Sequence, residues 1–78
     1  RALVRVSGET CAERVAPHAH GTIHLDAMQP GQDPSIVRAT VNRNASARDQ
    51  RLSECVQQLM AFAFSIGDMP RQAVDVRF

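Results

Sequence analysis

Apolar and polar residues along this chain follow two periods, two residues in some stretches and about 3.6 in others. Ala2 to Val6 alternates, with Val4 and Val6 on one side and Leu3 and Arg5 on the other, which predicts a short strand. Ser7-Gly8 interrupts it. Thr10 and Glu13 have capping-box spacing, so a helix is expected from about Gly8 to Ala16, stopped by Pro17. Cys11 and Val15 share one face of it. Thr22 to Met28 alternates again, with Ile23, Leu25 and Ala27 inward and Thr22, His24 and Asp26 outward. Gln29 to Pro34 is turn chemistry. Ile36 to Asn42 repeats the alternation, with Val37, Ala39 and Val41 inward and Arg38, Thr40 and Asn42 outward, so the two strands are expected to form a hairpin.

After a break at Asn44 to Ala47, Ser46 and Asp49 give a second capping signature. The long helix that follows carries Leu52, Cys55, Val56, Leu59 and Ala63 on one face, a stripe read as core. Gly67 and Pro70 close that region. Ala73 to Phe78 alternates a last time, with Val74, Val76 and Phe78 inward and Asp75 and Arg77 outward. The order strand, helix, strand, strand, helix, strand predicts an α+β fold. The expected sheet is three-stranded and antiparallel, with residues 1–7 as a possible extra strand and two helices packed on one face.

Composition narrows the function classes. The 78 residues suit one domain over residues 1–78, and a chain this short has marginal stability unless something staples it. Nine basic residues, all Arg, face eight acidic ones, so no basic field for nucleic acid is expected. No apolar run is long enough to span a membrane, and no signal peptide is evident. The chain starts at Arg1 and reads as a module of a longer protein. Trp and Tyr are absent, which argues against a base-stacking or carbohydrate platform.

The ordered pattern resembles the C-terminal domain of TonB-family energy transducers, in particular the cysteine-bearing branch found in AgmX/PglI-type gliding-motility proteins. The matching residues are Cys11 in a short helix, Gly21-Thr22-Ile23-His24-Leu25 and Ile36 to Val41 as strands, and Leu52-Ser53-Glu54-Cys55-Val56 as the helix motif. Phe62 or Phe64 stands at the helix end, and Val74 to Phe78 forms the closing strand. The resemblance covers residues 8 to 78. It implies a periplasmic, non-catalytic interaction module of an energy or force transducer, serving transport or motility in a Gram-negative envelope. The parent protein would be anchored in the inner membrane through a segment outside this chain. The partner would be a protein, or an extended peptide of an outer-membrane or envelope protein, and a homodimer is a further option.

The two cysteines lie on the inward faces of the two expected helices. A structural disulfide Cys11–Cys55 is the expectation; two free buried thiols, a redox pair or metal ligands are the alternatives. His18, His20 and His24 with Cys11 suggest zinc only loosely, because the spacing matches no usual zinc motif, so no metal or other cofactor is expected. His24 and Asp26 share a strand face, but nothing supplies a nucleophile beside them, and no catalytic residues are expected. Arg43, Arg48 and Arg51 cluster around the start of the long helix, either as a solvated face or as a contact for an acidic partner.

What remains is backbone chemistry. An edge strand presents unpaired N–H and C=O groups that can recruit an extended peptide. The resemblance places that edge on the closing strand, so the expected partner-binding residues are Arg71, Gln72, Ala73, Val74, Asp75, Val76, Arg77 and Phe78. Pairing of this strand with Ala2 to Val6 is the competing expectation. The alternative function is a disulfide-stapled structural or self-assembly domain of an envelope complex.

Overall fold

The computed structural model describes residues 2–27, 29–45 and 48–78. The elements run β1 (Ala2–Val4), α1 (Val6–Val15), β2 (Gly21–Asp26), β3 (Ser35–Val41), α2 (Gln50–Ser65) and β4 (Val74–Arg77). The fold is a small α+β domain with two helices on one four-stranded sheet, in the spatial order β1-β4-β2-β3. The expected antiparallel hairpin of β2 and β3 is present, and β2 also pairs antiparallel with β4. The sheet is not wholly antiparallel, because β1 joins as a parallel neighbour of β4.

Alternation places the core. Ile23, Leu25, Ala39, Val74 and Val76 point from the sheet toward Cys11 and Ala12 of α1 and Leu52, Val56 and Met60 of α2, and together they form one buried cluster. Phe64, Met69 and Phe78 pack against its margin. The Cys11–Cys55 disulfide joins the two helices across this core, with a sequence separation of 44. No helix among the described residues is long and apolar enough to cross a membrane.

The ends of α2 follow local rules. Asp49 is the N-cap, and its side chain accepts from the Leu52 N–H at 3.0 Å. Ser46, the other residue of that capping signature, lies outside the described residues, as does Met28 at the end of the expected second strand. At the far end Gly67 adopts φ 72, and the amides of Gly67 and Asp68 donate to the carbonyls of Phe64 and Ala63. That pair of bonds is a Schellman closure, which needs the left-handed conformation glycine tolerates.

Two local expectations are corrected. The first helix starts at Val6, not near Gly8, and Thr10 lies inside it; its N-cap, Arg5, makes no side-chain capping bond. Val6 is therefore a helical residue, 77% exposed, rather than the end of a strand. Tertiary packing fixes this start. A Cβ on Gly8 would lie 2.0 Å from the Arg77 carbonyl oxygen, so the first turn of α1 sits directly on the backbone of β4. The second correction concerns Val37, expected inward but 58% exposed. His24 pairs with Arg38 while Leu25 pairs with Ile36, a β-bulge that takes Val37 out of the core-facing alternation.

Candidate functional site

The sheet has two outer strands, and they differ in kind. β4, expected to be the binding edge, is interior. Ala2, Leu3 and Val4 pair with Val74, Asp75 and Val76 on one side, and β2 covers the other. The Ala2 amide donates to the Ala73 carbonyl, and beyond Val76 the first turn of α1 covers Arg77. Phe78 exchanges both backbone bonds with Gly21. β4 therefore presents no free edge, because β1 and α1 occupy the one the sequence left open.

Arg71 does not flank an edge either. Its guanidinium donates to the Gln29 carbonyl at 2.7 Å and to the Gln32 carbonyl, and it stacks over the Phe64 ring at 5.3 Å. It ties the β2–β3 loop to the end of α2. Of the two aromatics expected near that helix end, Phe64 is half-buried under this contact, whereas Phe62 is 61% exposed.

β3 is the long outer strand, with seven residues. Its last residue is closed off: Val41 and Asn44 exchange backbone bonds at 3.2 and 3.0 Å. Asn42 and Arg43 form the turn between them with φ 50 and 67, the left-handed pair of a type I′ turn. The Asn42 amide donates to the His20 carbonyl, and the Asn42 side chain accepts from the His20 amide, which fastens the turn to the start of β2. From Ser35 to Thr40 no strand among the described residues pairs with the outer side of β3. On the helix side a shallow groove runs beside this edge, lined by Ser35, Ile36, Arg48, Ser53, Glu54 and Gln57. Gln57 donates to the Pro34 carbonyl at 2.9 Å and holds the strand's entry against α2. Gly21 permits the close approach of β2 and β3, since a Cβ there would lie 1.8 Å from the Thr40 carbonyl oxygen.

The helix-free face of the sheet carries one ordered row of side chains. Leu3, Asp75, His24 and Arg38 stand opposite one another on successive strands. The Asp75 carboxylate lies 2.7 Å from His24 Nδ1, and the Arg38 guanidinium lies 3.4 Å from His24 Nε2. The tautomer that satisfies both contacts has Nδ1–H donating to Asp75 and Nε2 accepting from Arg38. Sequence reasoning placed all three side chains outward but did not join them. The missing signal is strand order, because Asp75 is 51 residues from His24 in the chain.

His18 and His20 are exposed beside α1 and β2, and Cys11 is committed to the disulfide, so the loose zinc set is not assembled. Among the described residues no group of three or more His, Cys, Asp and Glu side chains gathers around a point that could hold a metal ion. Compared with protein-family models, with curated proteins and with solved structures, the chain matches none.

Proposed function

We propose that this domain is a non-catalytic protein-interaction module that takes up an extended segment of a partner by strand addition at the outer side of β3. The observation that carries this reading is the seven-residue β3 edge, with no strand among the described residues paired to its outer side from Ile36 to Thr40, whereas β1, the other outer strand, has only three residues. A bound strand would continue the backbone ladder, with alternate side chains over the groove beside α2 and over the helix-free face. His24 supports a non-catalytic reading, because Nε2, the atom that would take a proton from a nucleophile, faces a guanidinium instead.

The resemblance to TonB C-terminal domains supports a setting for this activity. The module would lie in the periplasm, at the partner-engaging end of an energy or force transducer anchored in the inner membrane through a segment outside this chain. The Cys11–Cys55 disulfide is compatible with such an oxidising compartment. The binding edge then differs from the one the resemblance implies.

Titration of the disulfide-bonded chain with extended peptides from envelope proteins, followed by backbone amide shifts, tests the reading. Shifts and slowed exchange at residues 35–40 are expected. Shifts confined to residues 2–4 and 72–78 would mean that β1 is displaced and would overturn the β3 assignment.

A further inference from the structure

We propose that the segment added at β3 is acidic, and that Arg38 selects it, held in position by the His24–Asp75 pair. This inference rests on the strand-addition reading and specifies its ligand.

The cross-strand row on the helix-free face ends at the open edge in a positive charge. Asp75 fixes His24 through Nδ1, and His24 offers Nε2 to one amino group of Arg38. A guanidinium has five N–H donors in a planar fork, so one such contact leaves most of the fork for a carboxylate. Arg38 is exposed, and His24 is its only side-chain partner among the described residues. A side chain directly opposite Arg38 on an added strand would lie within the cross-strand pairing distance of roughly 5 Å between Cβ atoms. A carboxylate there extends the row so that Arg38 lies between His24 and an acid.

The surroundings carry both signs, and the groove lies on the other face of the sheet from Arg38. Arg43 stands in the turn that closes β3, and Arg48 lines the groove beside Ser35 and Ile36; both are exposed. The N-terminus of α2 lies at this end of the groove, where the Asp49 carboxylate caps it. Glu54 is the one acid in the groove, and it accepts from Gln50 at 2.9 Å. On the helix-free face, the charge at the open edge is Arg38.

The same charges disfavour a second copy as the occupant. Arg38 is the middle residue of Ser35–Val41, so a full antiparallel pairing of two β3 strands sets Arg38 directly against Arg38. Like charges at opposed positions destabilise a strand pair. An acidic segment removes that conflict and gains from it.

The test uses the intact, disulfide-bonded chain and two synthetic peptides of alternating valine and polar residues. They are identical except that the polar positions are Glu in one and Gln in the other. Affinities are read from amide shifts of residues 35–40 at low and at physiological salt. The Glu peptide is expected to bind on the order of tenfold more tightly at low salt, with the gap narrowing as salt screens exposed charges. In R38Q most of the Glu-over-Gln preference should disappear, and in H24Q it should fall by a smaller factor. Equal affinities at residues 35–40 would overturn acid selection while leaving strand addition standing. No shift at these residues with either peptide would overturn both. An undiminished preference in R38Q would overturn the role of Arg38.

Discussion

The two sides of the sheet contrast sharply although the strands beside them have similar alternating sequences. On one side β4 is sealed by three residues of β1 and by the first turn of α1, which reaches the backbone because residue 8 is glycine. On the other side β3 is long and bulged at Val37, and its own turn closes it at Val41. A strand's exposure is thus set by what the rest of the chain lays beside it, not by its own residues. Proteins commonly blunt a free edge with charge and bulges, and β3 carries both in Arg38 and Val37.

Three experiments on the chain itself press on this contrast, beginning with the largest effect. The disulfide holds α1, and through it the seal over β4, against α2. Replacing Cys11 and Cys55 by Ala should cost about 4 kcal/mol of stability by the chain-entropy account of a loop this long. Chemical denaturation measures it, and hydrogen exchange should show the β1–β4 pairing opening before the β2–β3 pairing. A loss confined equally to both sides would remove the special role given to α1.

A valine from each side gives the next comparison. Val76 is fully buried on the sealed side, so Val76→Ala should cost about 2 kcal/mol from lost burial and the cavity left behind. Val37, 58% exposed at the bulge, should lose less than about 0.5 kcal/mol on the same change. Thermal melts of the two variants side by side check the difference. Similar losses would show that the bulged edge is covered.

At Gly8, on the sealed side, two terms oppose. Alanine in place of a helical glycine ordinarily stabilises by up to about 1 kcal/mol. Here the added Cβ meets the Arg77 carbonyl, and displacing the helix should cost about 1–3 kcal/mol. The net outcome expected for Gly8→Ala is a loss of about 1 kcal/mol on denaturation, and a gain would mean that α1 does not press on β4.

How much could be read in advance varies with the element. The stripe Leu52, Val56 and its neighbours, with Gly67 after it, specifies the body and end of α2, whereas its start differs: the Ser46–Asp49 spacing reads as a capping box opening at Ser46, and Asp49 itself is the N-cap. The inward faces of β2 and β4 were equally legible from Ile23, Leu25, Val74 and Val76. The start of α1 was not, because Thr10 and Glu13 imitate a cap while the true start depends on contact between Gly8 and β4. Of the candidate binding residues, Val74 to Arg77 lie on an interior strand, Phe78 pairs with Gly21 and Arg71 is tied to the β2–β3 loop, and the longer outer strand is β3. Of the readings left open for Cys11 and Cys55, the structure has the expected disulfide.

The sequence by itself determined the inward faces of β2 and β4, the core stripe and far end of α2, and the outward placement of His24, Arg38 and Asp75. Those properties depend on periodicity and on contacts a few residues apart. Only the tertiary structure decided which strands are neighbours. It laid β1 parallel to β4, slipped the register past Val37, and brought Asp75, His24 and Arg38 into one row. Alternation assigns a side chain to a face but says nothing about the strand beside it. That choice belongs to the packing of the helices over the sheet and to the few glycines that let backbones meet.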